Sequence, residues 1–260
     1  VLSHLTYTQM FAYDTYYATN LGGSLWTLAL EMQFYLIFPL LARAFRRRPA
    51  LTFTAMVGLA LAARGYIAAA HSDVSLYFNQ LPAYLDTFAL GMAAALAHVR
   101  LSRVKHGAGL RLICSAATLA ALWLLYCTAK AQAGCPSTEA IRLGQMNRRL
   151  TMGLLGATLL VASANAGWIV RHILANPATR FVSAVSMQFY IWHQTLAVWL
   201  VQSRIIPSEF ANPNYDGDLI WQKQYTFVCF AAALLLAALL TYGFERPISR
   251  RLLQKREKTR

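Results

Sequence analysis

The sequence predicts an all-α, polytopic transmembrane helical bundle of about seven spans, with the N-terminus outside and the C-terminus cytoplasmic. Three observations lead there. Windows of about 20 mostly apolar residues recur along the 260-residue chain, the length a helix needs to cross a bilayer. Only 13% of residues are charged, against about a quarter in a soluble domain. The basic residues gather in short loops between the apolar runs, so the net charge of +14 marks membrane orientation and argues against a nucleic-acid partner. No composition break marks a second domain, and residues 1–260 are expected to form one.

Residues 1–23 contain Asp14 and neither Lys nor Arg. They are expected outside, with a short interfacial helix carrying Tyr13, Tyr16 and Tyr17. Spans are then expected at 24–42, 50–70, 77–98, 110–129, 150–167, 181–203 and 224–244. The loops 43–49, 99–111, 168–180 and 246–260 hold 17 of the 24 Lys and Arg, which places them in the cytoplasm, while the opposite side holds 7. The longest outer loops are 130–149 and 204–223, the latter with Asn-Pro and Asp-Gly turn pairs.

The first span carries a carboxylate, Glu31, near its middle. On a helix Ser24, Thr27, Glu31, Tyr35 and Phe38 fall within about 80° of one another, a polar stripe on an apolar rod. A charge at membrane depth is costly and belongs against a bundle interior or a wet cavity, which makes Glu31 a candidate functional residue. Pro39 has no N–H, so the Tyr35 carbonyl loses its helical partner. The second span contains Arg64, expected to snorkel to the outer surface. The third contains Asp86, for which a pairing with Arg64 is expected, and the close-packing step Gly91–Ala95. In the fourth, Cys114 and Cys127 lie roughly 20 Å apart along one helix and cannot bridge. The four cysteines and six histidines show no ligand spacing, so neither a disulfide framework nor a metal site is expected. The sixth span places Ser183, Ser186, Tyr190, His193 and Gln194 on one face, opposite Val185, Phe189, Trp192 and Trp199. His193 there is either a hydrogen-bonding core residue or a base. The last span ends in Tyr242-Gly243-Phe244-Glu245-Arg246-Pro247, which reads as a helix stop followed by a basic cytoplasmic tail, 247–260, on anionic lipid.

No Gly-rich phosphate loop, Gly-x-Ser-x-Gly elbow or His-Glu-x-x-His occurs. A polar interior lined by Glu31, Asp86 and His193 would serve a transporter or an enzyme equally. A transporter should show paired broken helices, and only one Pro-interrupted helix is evident.

In this order, the four motifs resemble the membrane-bound acyltransferase 3 family, which includes O-antigen and exopolysaccharide O-acetylases. Its Trp-Ser-Leu-x-x-Glu-x-x-Phe-Tyr-Leu-x-x-Pro signature matches Trp26, Leu28, Glu31, Phe34, Tyr35, Leu36 and Pro39, with Thr27 in the Ser place. Its Arg-Leu-Asp … Gly segment matches Leu85, Asp86 and Gly91, with Tyr84 for Arg. Its Ser-Tyr-x-x-Tyr-Leu-Trp-His segment matches Ser186, Tyr190, Trp192 and His193, with Met187 for Tyr. Its terminal Tyr … Glu-Arg-Pro matches Tyr242, Glu245, Arg246 and Pro247. The family's proposed catalytic His and donor-linked Arg motif belong to a region that would precede Val1, and His4 lacks their context. The resemblance therefore implies the C-terminal part of such an enzyme, or a catalytically inactive piece of one. It implies acyl transfer, most often of acetyl from cytosolic acetyl-CoA as donor substrate, to a hydroxyl on an extracytoplasmic carbohydrate or glycolipid acceptor. No other cofactor is implied. The setting would be the bacterial inner membrane, with lipid around a multi-pass protein. Glu31 and His193 are the candidate catalytic residues. Trp26, Tyr35, Tyr190 and Asp86 are candidate substrate contacts, and Glu245 and Arg246 candidate donor-side residues.

Overall fold

A computed structural model describes residues 2–16, 23–71, 73–104, 107–135, 137–210, 213 and 217–257. It is 85% helical, and no strand occurs among the described residues. The helices are α1 (Leu2–Leu5), α2 (Tyr13–Tyr16), α3 (Trp26–Arg47), α4 (Pro49–Ala70), α5 (Leu85–Leu101), α6 (Ala108–Ala133), α7 (Thr138–Asn165), α8 (Trp168–Leu174), α9 (Pro177–Gln202), α10 (Leu219–Leu240) and α11 (Arg246–Glu257). Tyr13 and Tyr16 do lie on a short helix; Tyr17 is outside the described residues.

Among the described residues, α3, α4, α6 and the run Leu219–Leu252 are long and apolar enough to cross a membrane, and α7 with α8 makes a fifth candidate span bent by 114°. Each of the seven expected spans overlaps one long helix, although α5 begins at Leu85, eight residues after the expected start of the third span. The two that fall short do so for visible reasons: α5 has 17 residues, and α9 carries its polar stripe of Ser, Tyr, Gln and His.

Cap chemistry sets the helix starts. Pro49 and Pro177 open α4 and α9, where a missing N–H costs nothing. The Asn176 side chain accepts from the Thr179 N–H at 3.0 Å. Asp218 caps α10 by accepting from the Trp221 N–H at 3.0 Å, and the Ser208 hydroxyl donates to it at 2.8 Å. Those two donors, the Trp221 amide first, hold its carboxyl below the usual carboxylate range. Just before it Gly217 has φ +79°, the left-handed conformation an Asp-Gly turn asks for; Asn212 and Asp216 of the expected turn pairs lie outside the described residues.

Three expectations are corrected. Residues 138–149 are not outer loop: Ser137 accepts from the Ala140 N–H at 3.1 Å with Glu139 in the first turn, so α7 begins twelve residues before the hydropathy rises. Arg64 does not snorkel; it is 6% exposed. The chain does not stop at Glu245-Arg246-Pro247. A π-helical turn, Thr241–Glu245, passes directly into α11. The widened turn relieves the clash between the Pro247 ring and the preceding turn, so proline bends the register instead of ending the helix.

The chain forms two compact units, Val1–Tyr16 with Trp26–Ala175, and Tyr17–Leu25 with Asn176–Arg260. In the first, α3 packs on α4, α4 on α5, α5 on α7 and α7 on α6. Phe34, Met56, Ala60, Leu85 and Ala89 form one buried cluster, in which Phe34 stacks on Phe88 at 3.7 Å. A second cluster joins Ile67, Val74, Phe78, Ala83 and Met146. Between α7 and α8 the Gly167 N–H donates to Ser115 Oγ at 2.9 Å, fixing the bend. In the second unit α9 packs on α10 and on the 3-10 turn Gly23–Leu25.

Candidate functional site

The first unit contains a cleft of about 820 Å³ whose lining includes Trp26, Asn79, Tyr84, Arg148 and Arg149 at its polar end. A 3-10 turn, Leu81–Tyr84, delivers Tyr84 to it just ahead of α5. The Arg149 guanidinium carbon lies 3.5 Å from the Tyr84 ring centroid, and the Trp26 ring is 5.9 Å from the same ring. Arg149 is buried and donates to the carbonyls of Phe78 at 2.7 Å and Ala83 at 3.2 Å. The Tyr84 hydroxyl donates to Asn79 Oδ1 at 3.1 Å, and Asn79 Nδ2 donates to the Tyr16 hydroxyl at 3.0 Å.

Beneath this layer Arg64 and Asp86 form a buried ion pair, Nη2 to Oδ2 at 2.6 Å, as the pairing of their spans anticipated. Arg64 Nη1 also donates to the Ala83 carbonyl at 3.0 Å, the oxygen that Arg149 uses. One carbonyl thus ties α4, α7 and the turn before α5 together. Asp86 is fully buried and belongs to this packing; it does not line the cleft.

Glu31 is exposed on α3, and among the described residues it has no hydrogen-bond or ion-pair partner. Tyr35, one turn on, is 58% exposed. Glu31 and Asp86 therefore do not share one polar interior within this unit: one carboxylate is committed to an arginine and the other is free.

In the second unit His193 is half-buried on α9, its Nδ1 2.7 Å from the Tyr190 carbonyl. A carbonyl only accepts, so Nδ1 is the donor here, and in the neutral ring the lone pair is on Nε2. The ring stacks on Phe189 at 5.8 Å. The Tyr190 hydroxyl donates to the Ser24 carbonyl at 2.8 Å, and Ser24 Oγ donates to the Ile191 carbonyl at 3.4 Å, so α9 is pinned to the turn that leads into the signature. At the π turn, Gln188 Nε2 donates to Glu245 Oε2 at 2.9 Å and Arg246 lies 4.4 Å over the Tyr242 ring.

A family model described as an acyltransferase domain matches residues 2–246. The chain belongs to the acyltransferase 3 family. No curated protein and no solved structure matches it at a significant level. Acyl transfer by a protein with membrane-length helices is thus the general setting in which this acyltransferase 3 chain is read. Sequence reasoning missed Arg148 and Arg149, which were counted as loop charges. The adjacent arginines directly before an apolar run were the available signal, since a cap at Ser137 carries both into the helix.

Proposed function

We propose that this chain is all or part of an integral membrane O-acyltransferase of the bacterial plasma membrane, moving an acetyl group from acetyl-CoA to a hydroxyl of an extracytoplasmic sugar-containing acceptor. The observation that carries the reading is Glu31: a carboxylate in the second turn of the membrane-length helix α3, exposed and unpartnered among the described residues. A carboxylate kept on such a helix for structure would be paired, as Asp86 is on α5. An unpaired one is suited to taking a proton from a hydroxyl. The activated oxygen attacks the thioester carbonyl, the C–S bond breaks, and the thiolate of coenzyme A leaves and takes up the proton that Glu31 accepted. The bare Nε2 of His193 is the alternative base. Within the first unit Trp26 and Tyr35 offer aromatic faces and a hydroxyl for the acceptor; in the second, the Tyr190 ring is a further candidate acceptor contact, and Glu245 with Arg246 is assigned to the donor side.

The test uses membranes containing the full-length protein and acetyl-CoA labelled in the acetyl group. Label should move into envelope glycan, and Glu31→Gln should cut the rate on the order of 10²-fold or more. Its melting temperature should stay unchanged, because the carboxylate has no partner to lose. Undiminished transfer by Glu31→Gln removes Glu31 from the site. Label that never leaves coenzyme A with the wild-type protein overturns the acyltransferase reading.

A further inference from the structure

The cleft is elongated. It runs along α7 from Gln145 to Leu160, roughly 22 Å at helical rise. Its two ends differ in chemistry. One end has Arg148 and Arg149. The other is lined by Gly91, Gly156, Ala157 and Leu160. A Cβ built on Gly91 or Gly156 meets nothing within 4 Å, so these glycines leave open space instead of serving a tight helix contact.

The charge balance at the polar end is uneven. Asp86 neutralises Arg64, but neither Arg148 nor Arg149 has a carboxylate partner among the described residues. Arg149 spends its donors on carbonyls and its face on Tyr84. Arg148 has a buried Nη1 without a hydrogen-bond partner, and the buried Thr87 Oγ1, also on the cleft, lacks one too. Arg148 as a whole is only part-buried, but a guanidinium nitrogen desolvated without a partner is costly, and a ligand anion would relieve it. Leu160, at the far end, is 67% exposed, so the cleft opens there onto an apolar surface.

The geometry points to a binding site for an anionic amphiphile: a phosphate-bearing head at Arg148 and Thr87, and one apolar chain laid along Gly91, Gly156 and Ala157. The assignment does not depend on acyl transfer by the chain, and its test reads binding, not turnover. A dodecyl phosphate carrying a diazirine in its chain is photolysed with the full-length protein in phosphatidylcholine nanodiscs, and the labelled peptides are mapped.

Labelling should concentrate near Gly91 and residues 153–160. Unlabelled dodecyl phosphate should compete, whereas dodecanol and glucose 1-phosphate should not. Arg148→Gln should reduce labelling about tenfold or more, Arg148→Lys should restore part of it, and Gly156→Leu should block the chain with the head site intact. Equal melting temperatures for these variants and the wild type separate lost binding from lost fold. Labelling indifferent to Arg148, or competed equally by dodecanol, overturns the proposal in favour of generic lipid contact. Displacement by glucose 1-phosphate alone overturns it in favour of a soluble anion site.

Discussion

Arg64 and Asp86 are 6% and 0% exposed, their charged atoms 2.6 Å apart, and Arg64 Nη1 is bound to a backbone carbonyl. Removing one partner of such a pair leaves a bare buried charge and costs about 3–5 kcal/mol, while replacing both by apolar residues is often neutral or better. Asp86→Ala should therefore lower the melting temperature sharply, and Asp86→Leu with Arg64→Met should recover most of the loss. The comparison is made by thermal unfolding in detergent. A double variant as unstable as Asp86→Ala would show that Asp86 does something other than balance Arg64. This pair was legible in the sequence, because two opposite charges in neighbouring apolar spans have few other partners. Arg149 was not. A guanidinium can be satisfied by carbonyls and a ring face, and neither leaves a trace in residue types.

At the scale of the element, the contact of α5 with α7 is made close by Gly153. A Cβ there would come within 2.9 Å of Leu90 Cδ1 and 3.6 Å of the Thr87 Cα. The first neighbour is the end of a flexible side chain and can turn away; the second is backbone and cannot. Gly153→Ala should then be tolerated within about 1 kcal/mol, whereas Gly153→Val drives a branched side chain at the α5 backbone and should cost about 1–3 kcal/mol. Chemical denaturation followed by helical circular dichroism compares the two, and equal stability would show that α5 and α7 adjust freely. Long helices could be read from apolar runs, but their ends could not. The cap at Ser137 lengthens α7 beyond the apolar run, and the π turn at Thr241–Glu245 carries the last helix through a proline that reads as a stop. In both places local hydrogen bonding, which hydropathy does not record, decides the boundary. The glycine step at Gly91 likewise reads as packing, yet it borders open space on the cleft, while Gly153 makes the tight contact.

For the whole molecule, the charge bias of 17 Lys and Arg against 7 predicts an orientation. The positive-inside rule counts charges in short loops, because those are the charges that resist translocation. Of the 7 Lys and Arg on the expected outer side, Arg64, Lys130, Arg142, Arg148, Arg149 and Lys223 lie in helices, but so do most of the 17 on the other side, so the helices leave the bias as the loops gave it. That bias predicts a cytoplasmic C-terminal run. It makes a demand on α6, a 26-residue helix long and apolar enough to cross, which must then separate two aqueous sides. Thr138 and Ser102 flank it on exposed positions. With the four native cysteines replaced, Thr138→Cys should react with a membrane-impermeant maleimide on intact spheroplasts, and Ser102→Cys only after permeabilisation. Reaction of both from outside would mean that α6 does not cross. The opposite pattern would invert the bundle and put the arginine end of the cleft in the cytoplasm. The expected pattern places that end on the outer side, where a lipid-borne anion in the outer leaflet can reach Arg148 and the acceptor hydroxyl would arrive.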